Sequence, residues 1–102
     1  MITILKFKMR IRNDMMKAIF NNRTEVNILL YLITLALGFI VRTNVIMHMK
    51  GAGNYKSPFI EYVSYIPVRI GDVIMQQPFF ILECGLTACI LGRPFETIAR
   101  LQ

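Results

Sequence analysis

Within the run "FFILECGLTACILG", residues 79–92 of a 102-residue chain, one carboxylate, Glu83, sits among uncharged and mostly apolar neighbours. A carboxylate surrounded by oil must take up a proton or find a partner. Two chemistries follow: a proton-handling group, or a buried anchor for another chain. On a helix, Gln76, Glu83 and Thr87 stand seven and four apart and form one polar stripe. Beside it, Gly85, Cys89 and Gly92 form a stripe of small side chains, the spacing that lets a second helix come close. The cation expected to face Glu83 from an antiparallel neighbour is Arg42, offset along the axis by about 10 Å. A bound lipid, a partner's lysine or a file of water would serve equally.

Other reactive residue types carry less. His48 is the single histidine. It is compatible with an axial ligand to a haem or chlorophyll and, more plainly, with an ordinary polar residue at a helix end. Cys84 and Cys89 lie five apart, which is neither a CxxC pair nor part of a four-ligand zinc pattern. No catalytic triad or phosphate loop is present. No catalytic residue, metal site or cofactor is therefore expected, and enzymatic activity is expected only through membership of an oxidoreductase complex.

The elements that would position these groups follow from composition. Apolar residues make up 55% of the chain and charged residues 18%, against a globular norm of roughly 25% charged. So little polar surface suits a chain whose solvent is partly lipid. The expected fold class is an all-α membrane protein, a hairpin of two transmembrane helices over residues 26–49 and 73–92. A basic arm, 1–25, precedes them. An interfacial connection, 50–72, holds a short amphipathic helix in which Phe59, Tyr62, Val63 and Ile66 recur at helical spacing after Ser57–Pro58. A tail, 93–102, follows. The second span has twenty residues, enough for a bilayer core of about 30 Å.

The net charge is +6, from twelve Lys and Arg against six Asp and Glu. In the arm, "LKFKMRIR" alternates apolar and basic residues with period two, the pattern of a strand or an extended arm. "NDMMKAIF" reads as a short helix. Because the charges flank apolar runs, Lys6, Lys8, Arg10 and Arg12 are assigned to anionic lipid or a partner surface, and nucleic acid is set aside. Eight cations in arm and tail against four from Arg42 to Arg69 place both termini on the matrix or cytoplasmic side.

"LGFIVRTNVIMHM", residues 37–49, and "LECGLTACIL", residues 82–91, resemble segments of the 4L core membrane subunit of respiratory complex I, the NADH:ubiquinone oxidoreductase. The first is similar to the end of that family's first helix. The second is similar to a later helix carrying a membrane carboxylate before small residues. The resemblance implies that Glu83 matches a proton-path carboxylate. The family has three spans, and 55–69 is too polar and proline-broken to supply the middle one.

The expected function is a structural subunit of a large membrane complex, respiratory and in the mitochondrial inner membrane, with other membrane subunits and anionic lipids as partners. A divergent 4L-like core subunit using Glu83 in proton translocation is the first alternative. An independent small channel or membrane-surface binder is the second.

Overall fold

The computed structural model describes residues 4–41, 47–48 and 58–100. Those residues form seven strands and two short helices: β1 (Ile4–Ile11), β2 (Asp14–Asn21), β3 (Ile28–Leu30), α1 (Tyr31–Ala36), β4 (Met47–His48), β5 (Pro58–Ile70), β6 (Val73–Leu82), β7 (Cys89–Leu91) and α2 (Arg93–Arg100). The strand order is β1-β2-β7-β3-β6-β5-β4. A further pairing of β1 with β5, at Arg10 opposite Arg69, closes six of the strands into a barrel and leaves β4 outside the ring.

Period-two burial builds the wall. In β1, Met9 and Ile11 are buried and Phe7 half-buried, while Lys6 and Lys8 point outward with the partly exposed Arg10. In β2, Met16, Ala18 and Phe20 turn inward opposite them. In β6, Met75, Gln77, Phe79 and Ile81 are buried at every second position. With Leu29, Ile66, Val68, Cys89 and Leu91 the apolar side chains among these form one core. Each fully buried aliphatic or aromatic side chain contributes about 1.5–3 kcal/mol of transfer free energy. Phe95 of α2 stacks on Phe7 at 5.9 Å and leans on Phe20 at 5.6 Å.

Two tight hairpins fix the register. Ile70 pairs with Val73 around Gly71–Asp72, and Gly71 takes a φ of 59°. Ile11 pairs with Asp14 around Arg12–Asn13, and Arg12 itself adopts a φ of 55°. Two-residue hairpins need positive φ, normally from glycine or asparagine. Arg12 is held there by its own side chain. Its Nη1 donates to the Leu37 carbonyl at 3.0 Å, and its guanidinium lies 3.8 Å from the centre of the Phe39 ring. Farther along, Val63 pairs with Phe79 and Ile66 with Gln77, so two residues of β5 oppose the single Pro78. Proline lacks an N–H, and the bulge gives it the one position where the ladder does not require one.

This architecture corrects the helical expectation. Residues 73–82 are a strand, and the apolar part of 26–41 divides into a three-residue strand and a six-residue helix. β6 is flanked by β3 and β5 and is apolar on both faces, with Phe80 packing outward on Tyr62 at 4.8 Å. An apolar run of this kind has the hydropathy of a buried helix. The expected helix at Phe59, Tyr62, Val63 and Ile66 is part of β5, and "NDMMKAIF" belongs to β2 rather than to a helix. Among the described residues no helix is long and apolar enough to cross a membrane. Without such spans, the two-helix membrane class, the respiratory-complex role, the inner-membrane location with matrix-side termini, and the membrane-subunit and lipid partners lose their premise.

Candidate functional site

Three chain segments cross at Asn27. The Asn27 Nδ2 donates to Gln77 Oε1 and to the Pro78 carbonyl, both at 2.9 Å, and its Oδ1 accepts from the backbone N–H of Gly92 at 2.8 Å. Backbone bonds run alongside: Phe80 N–H donates to Asn27 O at 2.9 Å, and Arg93 N–H to Thr24 O at 2.9 Å. Asn27 and Gln77 are buried. Gly92 is required by space, because a Cβ there would stand 2.3 Å from Thr24 O and 2.6 Å from Val26 O. This polar crossing locks β3 between β6, parallel to it, and β7, antiparallel.

One end of the barrel is built on that lock. Leu30, the last residue of β3, pairs with Leu82, the last of β6, so α1 and the 83–88 connection emerge side by side. Leu30 N–H donates to Ala88 O at 3.1 Å, and Gly85 lies against the Leu30 side chain. In α1, Thr34 turns inward and its Oγ1 donates to Leu30 O at 2.7 Å. Leu32, Leu35 and Ala36 occupy the outward face. Leu32 is 71% exposed, Ile40 94%, and Leu86, in the middle of the 83–88 connection, fully so. Apolar side chains crowd this rim, and α1 and the connection carry one charged residue between them, Glu83.

The sequence-proposed residues fall as follows. Glu83 is exposed just past β6, Thr87 is half-buried before β7, and Gln76 is exposed near the far end of β6, on the order of 20 Å from Glu83. Gly85 is exposed, whereas Cys89 and Gly92 are buried against the β3 crossing. Burial pushes the Cys89 thiol up to about 12. Arg42 lies outside the described residues. His48 is in β4, and nothing of its side chain is described. Lys6, Lys8 and Arg10 line the outer face of β1, and Arg12 is spent on the Phe39 and Leu37 contacts.

Sequence reasoning missed Asn27 and Gln77. Their signal was present as an amide within each apolar run, where a buried polar group must find partners. The exposure of Leu32, Leu35, Ile40 and Leu86 had no signal, because nothing in their type separates them from core leucines.

The six carboxylates are spread over separate elements of the chain. The two aspartates, Asp14 and Asp72, both belong to hairpin turns and are exposed, Asp72 completely. Asp72 lies 3.9 Å from Arg69 on the surface. Glu25 lies before β3, Glu61 on β5, Glu83 after β6 and Glu96 on α2. Among the described residues no three His, Cys, Asp or Glu side chains gather as metal ligands.

No protein-family model and no curated protein matches the chain. Solved structures do. The retroviral protease-like domain of Ddi1 from Leishmania major is similar over 93% of this chain and 76% of its own, with a TM-score of 0.75 and 16% identity. A retropepsin-like aspartic protease from Rickettsia conorii matches over 87% of this chain and 66% of its own, with a TM-score of 0.61 and 14% identity. The EIAV protease, in complex with the inhibitor HBY-793, matches over 97% and 88%, with a TM-score of 0.66 and 13% identity. The fold is the retropepsin-like β-barrel, which overturns the resemblance to the complex I 4L subunit.

Proposed function

We propose that this chain is a non-hydrolytic retropepsin-fold module that works by binding, and that its first partner is a second copy of itself. The carrying observation is the placement of the aspartates. An aspartic protease shares one proton between two Asp carboxylates held close together. Between two copies, Asp14 and Asp72 are the aspartates available to pair, each with its counterpart or with the other. Both are on exposed hairpin turns, without the burial and hydrogen bonds that tune a catalytic dyad.

The rim of α1 and the 83–88 connection supports self-association. A +6 chain repels its own copies, and this end is where Leu32, Leu35, Ile40 and Leu86 are exposed with no lysine or arginine on α1 or the connection. Two-fold association through one self-complementary patch is the commonest oligomer geometry. Sedimentation velocity over a concentration series tests it. The wild type should show a reversible dimer, and Leu32→Lys with Leu86→Lys should remain monomeric at the same concentrations. A wild type that stays monomeric throughout overturns self-association.

A further inference from the structure

Cations on the outer face of the β1–β2–β5 wall stand directly opposite one another. Lys8 pairs across the ladder with Lys17, and Arg10 with Arg69. Lys6 continues the same outward row along β1. Like charges directly opposite on a sheet are destabilising. β1 contributes no acidic residue, and β2 only Asp14, at its turn. Arg69 has Asp72 at 3.9 Å, and among the described residues Arg10 Nη1 reaches the Asn13 carbonyl at 3.5 Å. Between the two hairpin tips the wall opens into a cleft of about 420 Å³, lined by Lys8, Arg10, Arg12, Asn13, Arg69 and Gly71 among others. A fold that accepts two opposed cation pairs beside a cleft carries a surface suited to a repeating anion.

We propose that this face binds the phosphodiester backbone of nucleic acid through Lys6, Lys8, Arg10, Lys17 and Arg69. Outward side chains two apart on a strand stand about 6.8 Å apart. That is about twice the ~3.4 Å of axis per phosphate in one stacked strand, so the β1 row meets every second phosphate. An acidic peptide fits the face less well. β5 pairs with β1 at the single position Arg10, but the cations project from the outer face rather than along that edge, so a peptide lying on them gains no ladder bonds. Side-chain charge must hold the ligand alone, and release of condensed counterions favours nucleic acid in that role. The sequence argument against nucleic acid rested on cations flanking membrane spans; here they stand in a row on a barrel wall. The five cations are not among the residues proposed for self-association, although the two surfaces adjoin at Arg12, which lines the cleft and reaches Leu37 and Phe39.

The test is fluorescence anisotropy with a labelled single-stranded oligonucleotide at several salt concentrations. Five phosphate contacts give a log–log salt slope of about −3.5, roughly a hundredfold loss of affinity between ~50 and ~200 mM salt. Lys8→Gln with Arg10→Gln should reduce the slope to about −2.1, roughly a twentyfold loss over the same range. The same double variant should melt no lower than wild type, because it relieves both opposed pairs. Polyglutamate of equal charge should compete poorly. No binding at ~50 mM salt, a slope unchanged in the variant, or equal competition by polyglutamate overturns the proposal.

Discussion

The side-chain oxygen of Asn27 accepts the backbone N–H of Gly92, 65 residues later, at 2.8 Å in a buried position. The same amide reaches Gln77 and Pro78, so one side chain holds together strands from the first, middle and last parts of the chain. Removing it leaves the Gly92 N–H buried without an acceptor, a penalty of about 1–3 kcal/mol on its own. Asn27→Ala should destabilise the fold by about 3 kcal/mol, read from urea unfolding midpoints. Gln77→Met should cost under about 1 kcal/mol. It discards Nε2, which has no partner among the described residues, and leaves Asn27 its Pro78 and Gly92 bonds. Equal effects would show that the network is not centred on Asn27.

Two glycines should respond in opposite ways to one added methyl group. At Gly92 a Cβ would collide with the Thr24 and Val26 carbonyls, and neither backbone atom can move without breaking the crossing. Gly92→Ala should cost more than about 4 kcal/mol, in the range reserved for severe mechanisms, and should yield little folded protein. At Gly71 the Cβ would meet nothing within 4 Å, so Gly71→Ala bears only the left-handed backbone cost of about 1–2 kcal/mol. Thermal melts of the two variants check the contrast.

Arg12 adopts a backbone conformation that its side chain must maintain. Arg12→Ala keeps the unfavourable φ and loses both the Phe39 stacking and the bond to Leu37 O. Arg12→Gly loses the same contacts and relieves the backbone. The alanine variant should therefore be the less stable of the two by about 1 kcal/mol, measured by denaturant titration. Identical stabilities would mean that the turn is not strained.

The strand pattern of β1 was legible and the fold class was not, for a physical reason. "LKFKMRIR" alternates because β1 has one face on the core and one on solvent, so its period survives in the sequence. β6 and β3 are covered by neighbouring strands or side chains on both faces. Ile28, Leu29, Phe80 and Leu82 are therefore apolar where alternation would otherwise betray a strand. The prolines fit strands: Pro67 lies on an exposed position of β5 and Pro78 at a bulge. Glu83 looked buried because its neighbours in sequence are apolar, yet strand β6 ends one residue before it and leaves it exposed. Gly92 was read as a helix-packing residue, whereas the space a Cβ would need there is taken by the chain's own Thr24 and Val26 carbonyls.

The two cysteines should report folding and pH together. Cys84 is exposed and Cys89 buried, with the Cys89 thiol raised by burial from 9.0 to about 12. A thiol reagent at mildly alkaline pH should modify one cysteine per native chain and two after unfolding. Because the unfolded thiol ionises near 9 and the folded one near 12, the unfolded state loses its proton first. This contribution to stability is complete below about pH 9 and declines as pH rises toward about 12. In a Cys84→Ser background, unfolding midpoints between those pH values should fall more steeply than in a further Cys89→Ala variant. Parallel curves would refute the assignment.

Peptide hydrolysis is the most direct test of the central claim that this retropepsin-type barrel lacks a catalytic carboxylate pair. The purified chain, at concentrations where it self-associates, should be incubated with an unstructured peptide mixture from about pH 3.5 to pH 7 and the products read by mass spectrometry. The account predicts no cleavage above a no-protein control at any pH. Acid-dependent cleavage by the wild type that disappears in Asp14→Asn or Asp72→Asn would contradict it.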